Sequence, residues 1–217
     1  MRGWFVLVFV GVWVSGCVGL APRARPVLVE RGCEAEGRAA LRVMTLNVAH
    51  GRGDRFHQSQ LERADHEAIL GEIAAVIDRE APDVVALQES DGPSSWSGGF
   101  DHVAWLVARS AWVCSGVRGA HVAHEVLGER LEYGTAVLSR GPVRRACSEP
   151  FGLSWVDTKG FVVATVAAPG WGEEAAVDVV SVHLDFLSEL VRRRQVRRLV
   201  AALERRRRPV VVMGDFN

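Results

Sequence analysis

Four apolar runs in this chain each stop at a residue that can bind a hard cation or handle a proton. Leu41 to Leu46 runs into Asn47, and Asp83 to Gln88 runs into Glu89. Val177 to Val182 runs into His183, with Asp185 just beyond. Pro209 to Met213 is stopped by Gly214 and followed by Asp215 and Asn217. One polar residue at a strand end is commonly a turn residue. Five on one edge (Asn47, Glu89, His183, Asp215 and Asn217) make a candidate site rich in oxygen, with one imidazole and no thiol. Hard cations such as Mg²⁺ prefer that donor set.

Those residues can meet only if their strands point the same way. Each run is short, continuous and rich in valine, which suits a strand buried on both faces of a helix-covered sheet. Such sheets place ligands beyond the carboxyl ends of their strands. Between Asn47 and Asp83 the spacing predicts a helix, opened by a capping box of Ser59 and Glu62 and carrying Leu61, Ile69, Ile73, Val76 and Ile77 on one face up to about Arg79. Between Asp185 and Pro209 it predicts a second helix over roughly 186–207, with Leu187, Leu190, Val191, Leu199, Val200 and Leu203 inward. Its arginines read as a solvated outer face, with contact to nucleic acid or anionic lipid as the alternative. Both units are strand–helix–strand crossovers, so each strand pair should be parallel. Runs at 102–108, 111–117, 133–139, 142–147 and 161–167 read as an antiparallel meander. Residues 119–132 hold His121, His124, Glu125 and Glu129; without a His-Glu-x-x-His pattern they read as a surface loop or short helix, not a metal site.

A chain of 217 residues suits one domain. Lys and Arg together number 26, as do Asp and Glu, so no global charge pulls it towards nucleic acid. Residues 1–16 read as a signal peptide, with Met1-Arg2 and then an apolar run too short to span a bilayer comfortably. Val14-Ser15-Gly16-Cys17 resembles a bacterial lipoprotein box, which implies lipidation at Cys17, a tether over 17–40 and a bacterial cell envelope location facing outward. An ordinary secretory signal cut after Ala21, giving a secreted protein, and an uncleaved anchor are the alternatives. Outside the cytoplasm Cys114 and Cys147 are the expected pair, with reduced buried thiols as the bland reading. No Cys-x-x-Cys spacing points to zinc.

The ordered series Thr45-Leu46-Asn47, Val85-Ala86-Leu87-Gln88-Glu89, Tyr133-Gly134-Thr135-Ala136-Val137-Leu138-Ser139-Arg140, Val180-Ser181-Val182-His183-Leu184 and Gly214-Asp215-Phe216-Asn217 resembles the endonuclease/exonuclease/phosphatase superfamily over residues 41–217. The opening Asn47-Val48-Ala49-His50-Gly51-Arg52-Gly53 is similar to a bacterial branch of it. The resemblance implies an α/β fold, a two-sheet sandwich of the deoxyribonuclease-I-like type with helices on its outer faces. It also implies divalent-metal-dependent hydrolysis of phosphate esters, as a phosphodiesterase, phosphatase or nuclease. The ion would be Mg²⁺, with Mn²⁺ as a substitute. By resemblance Glu89 and Asn47 hold the metal. His183 donates to the phosphate or assists the leaving group, Asp215 positions or deprotonates water, and Asn217 orients the phosphate. Tyr133 and Thr135 contact substrate, Thr135 standing where relatives often carry Asn. Relatives continue to a late Asp-His pair, and this chain stops at Asn217, so the domain is expected to lack its C-terminal segment. The competing expectation is an inactive or fragmentary lipoprotein that binds phosphorylated ligands or a protein partner. A monomer is expected in either case.

Overall fold

The computed structural model describes residues 26–31, 39–126, 128–152, 158–171 and 175–217. The expected signal peptide, and Cys17 with it, lie outside the described residues. No helix among the described residues is long and apolar enough to cross a membrane.

Among the described residues nine strands form two sheets, as the motif series implied. The first holds β1 (Val27–Glu30), β2 (Val43–Asn47), β3 (Val84–Asp91), β4 (Ser115–Val126) and β5 (Glu129–Ser139), in the order β1-β4-β5-β3-β2. The second holds β6 (Val143–Pro150), β7 (Gly160–Ala167), β8 (Ala176–His183) and β9 (Val210–Asp215), in that order. Both expected crossovers are present. β2 and β3 are parallel through helix α1 (Arg63–Glu80), and β8 and β9 are parallel through helix α3 (Glu189–Leu203). All four strand ends therefore share one rim, with Asn47 opposite Gln88 and His183 opposite Asp215 in register.

The alternation within β3 shows why its run is unbroken, whereas β2 and β9, at the edges of their sheets, leave Val43 and Val212 exposed and are not covered on both faces. Val85 and Leu87 pack outward with Leu70 and Ile77 of α1, while Val84 and Ala86 pack inward with Val162, Val179 and Met213. A strand covered on both faces has no use for polar alternation. A third apolar cluster, with Phe151, Phe161, Val180 and Val182, lies beneath Leu199 of α3.

Several local expectations are corrected. Residues 102–109 form helix α2 (His102–Arg109), not a strand: Asp101 caps it by accepting from Ala104 N, and His102, Val103, Leu106 and Val107 are buried at helical spacing. A short apolar run is ambiguous by periodicity alone, and the cap decides it. Residues 119–132 are no surface loop, because most of them extend β4 and β5 as a hairpin. Part of the expected tether is an edge strand, Val27–Glu30 pairing antiparallel with β4. The α1 capping box is Glu62 with Asp65, since His57 accepts from Ser59 N and opens a separate short turn. Helix α3 starts late because Asp185 Oδ1 accepts from the backbone N–H of Leu187 and Ser188, which holds a turn before the Ser188 cap.

Below the rim a polar seam joins the sheets. Gln88 Nε2 donates to Thr45 Oγ1 at 3.3 Å and to Ser181 Oγ at 3.1 Å, and Ser181 Oγ donates to the Leu87 carbonyl at 2.8 Å. These bonds fix the height of β3 against β8, hence of Glu89 against His183.

Gly214 is required by close approach. Its φ is +152°, and a Cβ there would stand 1.9 Å from the Val182 carbonyl oxygen. Gly214→Ala is expected to force β9 off β8, costing about 1–3 kcal/mol and displacing Asp215. Chemical denaturation should show the loss directly.

Candidate active site

Glu89 reaches the rim through a distortion. The β3–β5 register shifts between Gln88 and Ser90, and Glu89 has φ +52°. A bulge adds a residue and re-aims its side chain. Ala49 (φ +48°) and His50 (φ +55°) are also left-handed, in the loop that faces Glu89. Backbone of this kind is costly for residues with a Cβ and tends to persist at functional sites.

The structure brings together Asn47, Glu89, His183 and Asp215. Asn47 Nδ2 donates to Glu89 Oε1 and to Asp215 Oδ2, both at 3.0 Å, bridging the two sheets. His183 Nε2 lies 3.9 Å from Glu89 Oε1 and 3.7 Å from Asp215 Oδ2. The Glu89 side chain is 21% exposed and that of Asp215 28%, so both carboxylates reach solvent.

Other assignments shift once side chains are placed. Asn47 Oδ1 accepts from Ala49 N at 2.9 Å, so Asn47 turns its NH₂, not its oxygen, towards the acids. Ligation by Asn47 would need the amide to turn over. Asn217 donates Nδ2 to the Leu184 carbonyl at 2.9 Å and its backbone N–H to Asp215 Oδ1 at 3.0 Å. It thus steadies Asp215. Thr135 is corrected: it is fully buried and donates to the Ser181 carbonyl at 3.1 Å, so it braces the sheets and does not face substrate. Tyr133 stands at the rim but is nearly buried, stacked on Trp96 at 5.4 Å and edge-on to His50 at 5.0 Å.

Sequence reasoning passed over His50, Asp91 and Trp96. His50 Nδ1 lies 2.7 Å from Asp91 Oδ1, and His50 Nε2 lies 3.4 Å from Glu89 Oε2. Trp96 Nε1 donates to Asp91 Oδ2 at 2.8 Å, and Ser97 Oγ to the same oxygen at 2.5 Å. Burial alone would raise the Asp91 carboxyl; the bond and charge of His50, with help from His102 and Ser97, hold it below the usual range. The available signal was Asp91 two residues past Glu89 in the same strand, a spacing that places both on one face beyond the bulge at Glu89.

His121, discounted as a surface residue, is buried against Gly160, where a Cβ would stand 2.7 Å from its ring. Gly160 pairs in register with His183, so His121 sits behind the site. Its Nε2 has no hydrogen-bond partner, and burial pushes its pKa down to about 3. In the unfolded chain His121 protonates near its ordinary 6.5, while the folded form stays neutral. Its contribution is therefore complete above pH 6.5 and lost as pH falls towards 3. Stability is expected to drop by roughly 1 kcal/mol per pH unit in that window. A series of urea melts should show this slope, and His121→Gln should flatten it.

Cys114 and Cys147 are each disulfide-bonded, and no cysteine is free among the described residues.

Three or more His, Cys, Asp or Glu side chains placed to hold one metal ion do not occur among the described residues. Mg²⁺ needs less: it commonly takes one or two carboxylates and keeps several waters. Glu89 and Asp215, both solvent-reaching and oxygen-bearing, fit such an ion.

Known structures share this fold. The Beutenbergia cavernae endonuclease/exonuclease/phosphatase is 27% identical with TM-score 0.54, matching 82% of this chain and 47% of its own. A humanized D. rerio TDP2 is 15% identical with TM-score 0.57, over 83% of this chain and 67% of its own. The Bacteroides thetaiotaomicron mannosyl-6-phosphatase Bt3783 is 13% identical with TM-score 0.58, over 82% and 66%. The chain thus spans between about half and two thirds of these proteins. No curated protein matches at the sequence level. The model of the Endonuclease/Exonuclease/phosphatase family matches residues 44–217, which takes in every motif on the rim, and the chain belongs to that family.

Proposed function

We propose that this chain hydrolyses phosphate esters with a divalent ion, Mg²⁺ or Mn²⁺, held at Glu89. The observation that carries the reading is that His183 lies within 4 Å of both Glu89 and Asp215, carboxylates from two sheets that Asn47 bridges. When bound, the ion would neutralise phosphoryl oxygen charge and stabilise the leaving oxygen. Asp215, steadied by Asn47 and Asn217, orients the attacking water. His183, beside both carboxylates, donates to the phosphoryl group. Asn47 keeps the two carboxylates at a fixed separation, so little reorganisation is needed as charge develops.

The disulfide-bonded Cys114 and Cys147 support an oxidising, extracytoplasmic setting, consistent with a lipid anchor at Cys17. The zero net charge supplies no global pull towards nucleic acid, and an extracytoplasmic lipid anchor would favour lipid-derived or scavenged phosphate esters. The test is hydrolysis of a bis-aryl phosphodiester and an aryl phosphomonoester with Mg²⁺ or Mn²⁺, compared with a chelated control. Metal-dependent release is expected with at least one. Binding of inorganic phosphate without turnover of either would replace hydrolysis by ligand capture.

A further inference from the structure

We infer that His50, gripped by Asp91, is a positioning residue that sets the second carboxylate oxygen of Glu89 for ion binding; this rests on the metal-dependent reading above. Glu89 Oε1 is already engaged, receiving Asn47 Nδ2 at 3.0 Å with His183 Nε2 3.9 Å away. Its Oε2 faces His50 Nε2 at 3.4 Å. The carboxylate is thus addressed from both ends, by β2 and β8 on one oxygen and by the loop after β2 on the other.

The His50 ring has little freedom. Asp91 Oδ1 takes its Nδ1 at 2.7 Å, while Asp91 Oδ2 is filled by Trp96 Nε1 and Ser97 Oγ. Trp96 and Tyr133 meet the ring edge-on at 5.2 and 5.0 Å. The loop beneath is pinned by buried His66, whose Nδ1 lies 2.8 Å from the Gly51 carbonyl oxygen. Asp91 is fully buried, so it reaches no ion or substrate and acts only through His50.

Backbone conformation points the same way independently. His50 and Glu89 are both left-handed, as is Ala49. Strain on both partners of one contact, each turned towards the other, is retained only where the surrounding packing enforces it. Outer groups that orient a metal ligand typically change metal affinity by about 10- to 100-fold when removed.

The experiment is calorimetric titration of the full chain with Mn²⁺ alone, for wild type, His50→Asn, His50→Gln and Asp91→Asn. Asn keeps the bond to Asp91 and tolerates the left-handed backbone but falls short of Glu89. His50→Asn is expected to weaken Mn²⁺ binding about 10- to 100-fold, and His50→Gln, which reaches Glu89, to recover part of it. At saturating Mn²⁺ the KM of His50→Asn for an aryl phosphodiester should match wild type while kcat falls. Wild-type Mn²⁺ affinity in folded His50→Asn would overturn the inference; should that variant not fold, wild-type affinity in Asp91→Asn would do so. A wild-type protein that takes up no Mn²⁺ would instead overturn the metal-dependent reading, and this inference with it.

Discussion

Glu89→Gln is expected to lower metal-dependent turnover about 10³-fold while leaving the fold intact. The substitution keeps the shape and one oxygen but removes the negative charge. In this structure Glu89 Oε1 accepts from Asn47 and Oε2 faces His50, so a glutamine amide would set an N–H against one donor. The cation site would lose its best-placed carboxylate, and phosphoryl charge would go unneutralised. The side chain is 21% exposed, which keeps the stability change small. Steady-state kinetics with Mg²⁺, alongside a thermal melt, separate the two effects. Turnover within threefold of wild type would remove Glu89 from the metal site.

The second large effect concerns stability. Arg118 is 2% exposed and stands between two acids. Its Nε and Nη2 donate to Asp101 Oδ2 at 3.0 and 2.8 Å, and Nη2 donates to Glu132 Oε1 at 2.8 Å. Burial alone would lower the guanidinium pKa, but the two carboxylates hold it above its ordinary value. Asp101 also caps α2, so this one cation ties β4 and β5 to that helix. Arg118→Ala is expected to cost about 3–5 kcal/mol, because it strips Asp101 of its counter-charge and leaves Glu132 with Arg130 alone. Adding Asp101→Asn and Glu132→Gln should return a good part of the loss. Denaturant unfolding of the single and triple variants measures both values. Equal instability in the two would place the cost in lost packing and not in unpaired charge.

Neither Arg118 nor His121 announced itself in the sequence. Each sits in a stretch whose composition suggests a solvated loop or hairpin, and each is buried by the other sheet or by α2. Burial of a polar side chain depends on what arrives from elsewhere in the chain, and no local pattern records that. Helix α2 was misread for a related reason: its eight residues are too few for a period to show, and the Asp101 cap outweighed the strand-like run. The crossovers around α1 and α3 were legible because the doubly buried β3 and β8 leave unbroken apolar runs, whereas the stripe expected inward on α3 is largely exposed, Leu187 at 80%, Leu190 at 58% and Val200 at 48% with Leu199 buried.

The site divides along the same line. Glu89, His183 and Asp215 were readable as a set, since each ends an apolar run and parallel crossovers force such ends to one rim. Thr135 was misplaced because strand alternation at β5 sends it inward, to the Ser181 carbonyl. The His50–Asp91 pair needed coordinates. A one-residue bulge at Glu89 decides which neighbours face the same way, and a bulge shifts the period-two register without changing residue types. The sequence by itself determined the family, the two crossovers and which side chains could share a rim, because those follow from hydrophobic period and chain order. Tertiary structure alone decided which of their atoms meet, because hydrogen-bond geometry depends on register, bulges and packing between segments far apart in the chain.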